Sequence, residues 1–356
     1  MRRVTTVLGP VDPADLGVTM MHEHVFVDAT CHFVQPEDEA GRALLHAPMS
    51  AEILDAVRRQ PLAVTLDNVV QKDEVLALEE LHRYSVAGGR TIVDCTNFGI
   101  GRDPVALRRL SRVTGVQIVM GTGCYTERSH PAWVATATVD ELADIFARDV
   151  VEGVDDTGIR AGIIGEIGTS GIAAGHTGKD KVGHLTAQEE KVLRAAGRAS
   201  NRTGAAVSVH LDMRGQGALR TIDILADEGV PADRMVMGHL DQVQDLDYHR
   251  AVAARGVFLE YDALGRENHV EDLWFGSDEW RVASLATLVR EGYADQIVLA
   301  QDMAFKTDFH RWGGPGLAHV LTSIVPTLRE EGVPDAAIRA MLVDNPRRIL
   351  SVESAP

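Results

Sequence analysis

The feature that most constrains the fold is a series of short apolar, β-branched segments that recur along the chain with amphipathic stretches between them. Eight such segments are predicted strands: Gly17–His24, Thr91–Thr96, Val116–Gly123, Ala161–Ile167, Ala205–Leu211, Arg234–His239, Gly256–Asp262 and Gln296–Asp302. Near-continuous apolar strands that alternate with helices are typical of βαβ units around a buried parallel sheet. Eight units in 356 residues predict an α/β fold, a (β/α)8 TIM barrel, forming one domain over residues 1–356.

A doubly wound open sheet is the alternative arrangement of such units. It should have a glycine-rich phosphate-binding turn after its first strand, and no such turn follows Gly17–His24. The stretch from Val25 to about Gln71 is too long for a simple βα loop, so we expect it to contain helices and to cap the barrel. The segment Ile172–Gly183, rich in glycine and charge, is predicted to be a surface loop.

The first predicted strand ends in His22-Glu23-His24. Side chains at positions i and i+2 of a strand point the same way, so both imidazoles face the barrel interior if either one does. Two histidines at this spacing can bind one metal ion. The alternative is a pair of hydrogen-bonded core histidines, and this motif alone does not decide between the two.

Polar residues at the ends of other predicted strands favour the metal site. Glu166 ends the fourth strand, His210 the fifth, His239 the sixth and Asp302 the eighth. In a barrel the carboxyl ends of the strands converge on one site. A buried carboxylate without a partner is costly, and a divalent cation compensates that cost. The coincidence of these positions therefore predicts a metal centre.

Four histidines and two carboxylates are too many for one tetrahedral zinc ion with an open position, but they suit two ions. The expected ligands are His22, His24 and Asp302 for one ion, His210 and His239 for the other, and Glu166 for both. Two such ions lower the pKa of a bound water and polarise a substrate oxygen. We therefore expect a bridging hydroxide to attack a carbonyl or phosphorus centre, with Asp302 as the general base.

The net charge and the cysteine content indicate which classes of partner and which cellular compartment to expect. A formal net charge of −17 disfavours nucleic acids and membrane surfaces as partners, which leaves a small-molecule substrate. The three cysteines show no CxxC spacing, which fits a reducing compartment. The first residues lack the apolar core of a signal peptide, and no apolar run is long enough for a membrane span. We expect a cytoplasmic protein.

Local motifs resemble the phosphotriesterase-like family of the amidohydrolase superfamily. They are VLGPVDPADLGVTMMHEH, AGIIGEIGTSG, MGHLD, LEYDALG, GGPGLAHVLTSIVPTL and DNPRRIL. The similarity extends from about Val7 to Leu350 and is strongest to the phosphotriesterase-related branch. It implies a (β/α)8 barrel, a homodimer and two divalent ions, usually Zn²⁺, although these ligands also accept Mn²⁺ or Co²⁺. The founding phosphotriesterases bridge their ions with a carboxylated lysine, whereas Glu166 resembles the bridging glutamate of the related branch.

The resemblance also implies a substrate class. The branch with this glutamate is associated with cleavage of N-acetyltaurine, an amide that bears a sulfonate, and related enzymes open lactones. We therefore expect hydrolysis of a carboxylic amide, ester or lactone, with an anionic N-acyl amino acid or amino sulfonate as first choice. The alternatives are a lactonase with side phosphotriesterase activity and a non-catalytic ligand-binding protein that retains the metal site.

Four further residues, at or beyond the strand ends, are candidates for substrate contacts. Lys306 matches a lysine of the related branch and is either a ligand for an anionic tail or a solvated loop residue. Tyr125 can hydrogen-bond the substrate or a bridging water, or simply pack. Tyr261 ends the seventh strand, where it can line the pocket, and Arg266 is a candidate gatekeeper at its entrance.

Overall fold

Eight parallel strands form the centre of the computed structural model, which describes residues 2–170, 185–212, 217–267, 269–270, 273–274 and 276–353. In chain order they are β1 Thr19–Glu23, β2 Thr91–Asp94, β3 Gln117–Thr122, β4 Ile163–Gly168, β5 Val207–His210, β6 Met235–Met237, β7 Phe258–Tyr261 and β8 Ile297–Leu299. Each strand pairs with the next one along the chain. The Asp302 amide donates to the His22 carbonyl across 3.1 Å, which brings the end of β8 beside β1. The predicted (β/α)8 barrel is confirmed.

Helices follow the strands and cover the outside of the sheet. They are α1 Glu74–Val86, α2 Pro104–Thr114, α3 Val139–Val151, α4 Ala187–Thr203, α5 Ala218–Asp227, α6 Leu246–Ala253 and α7 Asp278–Arg290. After β8 the helical segments are Val320–Ile324, Val325–Glu330, Asp335–Arg339, Ala340–Asp344 and Asn345–Leu350. The start of α4 is set by a capping box in which Thr186 and Glu189 each bind the other's backbone amide. Its end is set by Gly204 in the left-handed conformation.

The amino end of the barrel is closed by apolar packing. An antiparallel hairpin of Arg2–Thr6 and Gly9–Val11 crosses this end, and Val352–Glu353 pairs with its first strand. Behind it lies a buried group that we call the floor cluster: Val4, Leu16, Met21, Val93, Val119, Ile163, Ala206, Val236, Phe258, Val298, Ile349 and Leu350. Because successive strand residues face opposite sides, neighbours such as Ile164 and Val207 pack instead against the helices.

The first βα connection is long and partly helical, as predicted. It contains helices Glu39–Leu44, Leu54–Arg59 and Leu66–Val69, and strand Val27–Asp28 pairs with Val70–Gln71. Shorter elements elsewhere are helix Ala132–Thr136, strands His269–Val270 and Leu273–Trp274, and the 3-10 turns Pro13–Asp15, Thr30–His32, Glu127–Ser129, Ala232–Arg234, Leu240–Gln242, Ala294–Gln296, Lys306–Asp308 and His310–Trp312. The predicted loop Ile172–Gly183 lies outside the described residues. Within the described ranges, none of the helices combines the length and apolar character that a membrane crossing requires.

Candidate metal centre

Glu166 lies at the middle of a buried group of imidazoles at the carboxyl end of the barrel. Its Oε2 atom is 3.2 Å from His22 Nε2, 3.0 Å from His210 Nδ1 and 3.8 Å from His239 Nε2. Its Oε1 atom is 3.2 Å from His24 Nε2. Glu166 lies within an irregular segment of β4, where the pairing with β5 shifts register between Ile164 and Ile167. The Glu166 carboxylate therefore faces one ring nitrogen of each histidine that the sequence predicts as a ligand. We call these four ring nitrogens the inner nitrogens.

Asp302 completes this group from the end of β8. Its Oδ1 atom is 3.2 Å from His24 Nε2 and 3.9 Å from His22 Nε2. Asp302 and His239 both have positive φ angles, 49° and 58°. Such angles are uncommon outside glycine and recur at functional sites, where the surroundings hold the backbone in place. The structure thus brings all six predicted ligands together.

Each of the four histidines uses its second ring nitrogen on an outer partner. The pairs are His22 Nδ1 with Glu260 Oε2 at 3.2 Å, His24 Nδ1 with Thr96 Oγ1 at 2.8 Å, His210 Nε2 with the Tyr125 hydroxyl at 3.2 Å, and His239 Nδ1 with Asp262 Oδ1 at 2.9 Å. Outer partners of this kind are typical of metal-binding histidines, because they fix the ring and its tautomer. The inner nitrogens are left to face one another around Glu166.

These inner nitrogens fit a cation better than they fit each other. His22 Nε2 is buried and has no partner of hydrogen-bond geometry in the part of the chain that the structure describes. His210 Nδ1 and His239 Nε2 lie 2.6 Å apart. Donor atoms of His22, His24 and Asp302 all lie within 4.8 Å of one another, and so do those of His22, Glu166 and His239. Nitrogen and oxygen donors at this spacing suit a divalent ion. His22 belongs to both groups, which the sequence did not predict.

The charges of the site also favour a cation. Burial raises the pKa of Glu166, but the imidazoles of His22 and His210 outweigh burial and lower that pKa well below its usual range. Burial likewise raises the pKa of Asp302, and the Arg266 guanidinium, with Nη1 2.9 Å from Oδ2, lowers it below the ordinary value. For His24, burial lowers the pKa, but the carboxylates of Asp302 and Glu166 raise it to about 9. These two carboxylates therefore attract positive charge into the barrel.

A cavity of about 90 Å³ opens beside these residues, and two of the four predicted substrate contacts lie in its wall. Tyr125 and Arg266 lie in its wall. Tyr125 also donates or accepts a hydrogen bond with His32 Nε2 at 3.0 Å, so its hydroxyl links the cavity wall to His210. Arg266 contacts Asp308 as well as Asp302, which places it beside the predicted base. The remaining wall includes the apolar side chains Val27, Ala29, Leu62, Ile100, Ala304 and Phe305.

The structure does not bring Tyr261 and Lys306 to this wall. The Tyr261 hydroxyl contacts His249 Nδ1 at 2.7 Å and Ser284 Oγ at 3.1 Å. The physical reason is strand alternation: the flanking Glu260 and Asp262 side chains face the barrel interior, so Tyr261 faces the helices. Lys306 Nζ instead binds Asp67 Oδ1 at 2.7 Å, from the long first loop.

Sequence reasoning missed the outer partners Thr96 and Glu260, and it also missed His32, which contacts Tyr125. Thr96 and Glu260 lie on or next to strands, and alternation from Asp262 would have placed Glu260 on the inner face. His32 comes from the long first loop, whose path the sequence does not determine. Burial, His210 and Arg128 lower the pKa of His32 to about 4, so this wall residue is a neutral imidazole.

Comparison with known proteins agrees with this geometry. Residues 2–350 match the phosphotriesterase family. The chain belongs to this family. It is 36% identical to an N-acetyltaurine hydrolase of Salmo salar over 98% of both chains. It is 31% identical to the human N-acetyltaurine hydrolase, again over 98% of both chains. The family resemblance predicted from the motifs is confirmed.

Solved structures of family members superpose along nearly the whole chain. A resiniferatoxin-binding protein from Rhodobacter sphaeroides is 39% identical with a TM-score of 0.91, covering 98% of this chain and 94% of that one. A lactonase from Listeria monocytogenes is 26% identical with a TM-score of 0.79, covering 99% and 100%. Together with the clusters around Glu166, these comparisons identify a metal-dependent hydrolase of the phosphotriesterase family.

Proposed function

We propose that this protein hydrolyses a carboxylic amide at a centre of two divalent ions. The observation that carries the proposal is the Glu166 carboxylate, whose two oxygens face inner nitrogens of four buried histidines. The proposed ligands are His22, His24 and Asp302 for one ion and His210 and His239 for the other, with Glu166 shared. The contact of His22 with both groups supports a compact centre in which the two ions are close neighbours.

Zinc is the proposed ion, because imidazole and carboxylate donors are its usual ligands in hydrolases. When bound, a pair of such ions supplies an activated water at neutral pH and polarises the substrate carbonyl. Manganese and cobalt use the same donors, so the identity of the ion is decided by metal analysis. The cytoplasmic location and the homodimer remain predictions of the sequence and the resemblance.

Asp302 is the proposed general base of the reaction. Arg266 Nη1 donates to its Oδ2 atom at 2.9 Å, which holds the carboxylate in one orientation and keeps it ionised. An ionised carboxylate can take the proton of the attacking water. It can then return this proton to the amine nitrogen as the C–N bond breaks. Water and amide are thereby converted to a carboxylic acid and an amine.

The proposed substrate is an N-acyl amino acid or amino sulfonate. Relatives named N-acetyltaurine hydrolase at 31–36% identity support this class. The apolar part of the cavity wall, including Val27, Ile100 and Phe305, suits the hydrocarbon portion of an acyl group. Of the two predicted cationic contacts, Arg266 lies in this wall and Lys306 does not. The Arg266 guanidinium shares its charge with Asp302 and Asp308.

A lactone is the second candidate substrate. The similarity to the Listeria lactonase and the apolar wall support it, because a lactone needs no cation for an anionic tail. A non-catalytic binding protein is not favoured. The Asp302 and Arg266 ion pair suits a proton-transfer role, and relatives of the chain are named hydrolases.

The test is a hydrolysis panel with zinc-reconstituted protein: N-acetyltaurine, other N-acetyl amino acids, several lactones and paraoxon. We expect the largest kcat/KM for an acidic N-acyl compound. Lactone cleavage alone would move the protein to the second candidate. No turnover of any compound by protein that holds two ions would contradict the enzyme assignment. The Asp302→Asn variant serves as the control for background hydrolysis.

A further inference from the structure

Glu260 is a fully buried carboxylate that the proposed reaction does not use. It lies on β7, behind the candidate metal centre, and its Oε2 atom is 3.2 Å from His22 Nδ1. Its Oε1 atom is buried and has no hydrogen-bond partner among the described residues. A carboxylate that is buried and only half satisfied lowers the stability of the fold. We therefore expect Glu260 to have a function that compensates this loss of stability.

Two buried carboxylates lie near His22 Nδ1, and they have different tasks. Asp262 contacts His239 through both the ring Nδ1, at 2.9 Å, and the backbone amide, at 2.9 and 3.1 Å. Its distance to His22 Nδ1 is longer, at 3.4 Å. Asp262 therefore mainly orients His239, and Glu260 is the nearer acceptor for His22.

We propose that Glu260 is a positioning residue that holds a proton on His22 Nδ1 and so directs the Nε2 lone pair into the metal centre. This inference rests on the proposed function. A neutral imidazole carries one proton, and the nitrogen that has a hydrogen-bond acceptor keeps it. With Glu260 in place, Nδ1 is the donor and Nε2 is free to bind an ion.

The position of His22 makes this role matter for both ions. Its Nε2 atom belongs to the His24 and Asp302 group and also to the Glu166 and His239 group. A wrong tautomer would point a proton at both groups. The remaining outer partners described above are hydroxyl groups for His24 and His210 and the Asp262 carboxylate for His239. Glu260 supplies the carboxylate oxygen nearest to His22 Nδ1.

The experiment compares zinc affinity with the stability of the metal-free protein. Two variants are made, Glu260→Met, which removes the acceptor at similar size, and Glu260→Gln, which keeps an acceptor without the charge. Zinc affinity is measured by competition with a chelator, and the melting temperature is measured after metal removal. We expect Glu260→Met to weaken zinc binding about 10- to 100-fold and Glu260→Gln to weaken it less. The metal-free melting temperature should stay the same or rise.

Glu80 provides the matched control. It is also a buried glutamate, but its oxygens accept from the backbone amides of His310 and Leu317, neither of which is a proposed metal ligand. Glu80→Met should lower the metal-free melting temperature and leave zinc affinity unchanged. Unchanged zinc affinity in Glu260→Met would overturn the inference, and so would a loss of affinity that only accompanies a loss of metal-free stability. Wild-type protein without zinc affinity would overturn the proposed function itself, and this inference with it.

Discussion

The two ends of strand β4 are both buried, but one is surrounded by apolar side chains and the other by polar ones. Ile163, near its amino end, belongs to the floor cluster and is fully buried among aliphatic side chains. Glu166, three residues later, is 2% exposed and is surrounded by imidazoles. Apolar burial stabilises the fold directly, whereas buried charge lowers stability until a partner arrives. The comparison teaches that the floor contributes to the stability of the barrel, whereas the carboxyl end carries its chemistry.

The largest expected effect comes from Glu166→Ala. Removing the shared carboxylate should lower zinc content from two ions per chain to at most one and abolish turnover. The metal-free protein should remain folded, because the floor cluster and the apolar packing between the strands and the helices are unchanged. Metal analysis after reconstitution and circular dichroism check both parts. Full occupancy in this variant would contradict the bridging role.

Asp302→Asn is expected to affect catalysis more than metal binding. The amide oxygen can still contact an ion, but it cannot take a proton. We predict that kcat falls about 10²- to 10⁴-fold. Steady-state kinetics and zinc content are measured on the same preparation. Turnover that survives with normal zinc content would show that another group is the base.

Ile163→Ala tests the other end of the same strand. Truncating a fully buried isoleucine should lower the free energy of unfolding by about 2–5 kcal/mol. Zinc content and kcat per folded molecule should match the wild type, because the change is confined to the floor cluster. Denaturant titration and kinetics separate the two quantities. A specific loss of kcat without a loss of stability would break the division between the two ends.

Arg266→Gln should shift the pH dependence of turnover. Arg266 lowers the pKa of Asp302, so its removal raises that pKa. The base must be ionised, and activity falls as pH drops through its pKa. The acid limb of the kcat/KM profile should therefore move to higher pH, with a smaller change at alkaline pH. A uniform loss at every pH, with no movement of the limb, would argue against this role.

The smallest effect is expected for Lys306→Ala. The Lys306 ammonium binds Asp67. Partly exposed ion pairs of this kind contribute about 0–1 kcal/mol to the free energy of unfolding. The KM values for anionic and neutral substrates should change little and equally. A selective increase for anionic substrates would restore the role that the sequence predicted for Lys306.

The parts of this molecule that follow a regular period could be predicted from the sequence. Each barrel strand is an apolar run in the sequence. The carboxyl ends of these strands converge in a barrel, so the sequence predicts that His22, Glu166 and Asp302 lie close together. Alternation along a strand would also have excluded Tyr261 and found Glu260, had it been applied to β7.

The remaining contacts depend on long loops, which have no such period. Lys306 meets Asp67 because the first βα connection folds over the barrel, and no local pattern fixes that path. His32 reaches Tyr125 for the same reason. His22 is shared between two groups because its Nε2 atom lies 3.2 Å from Glu166 Oε2 and 3.9 Å from Asp302 Oδ1. The spacing of residues along the chain cannot predict two distances that differ by less than 1 Å.

The most direct test of the account is the metal content of the purified protein after reconstitution with zinc, measured by mass spectrometry against protein concentration. The arrangement around Glu166 predicts two ions per chain. Fewer than one ion per chain would contradict it, because the six converging side chains would then not form a metal site.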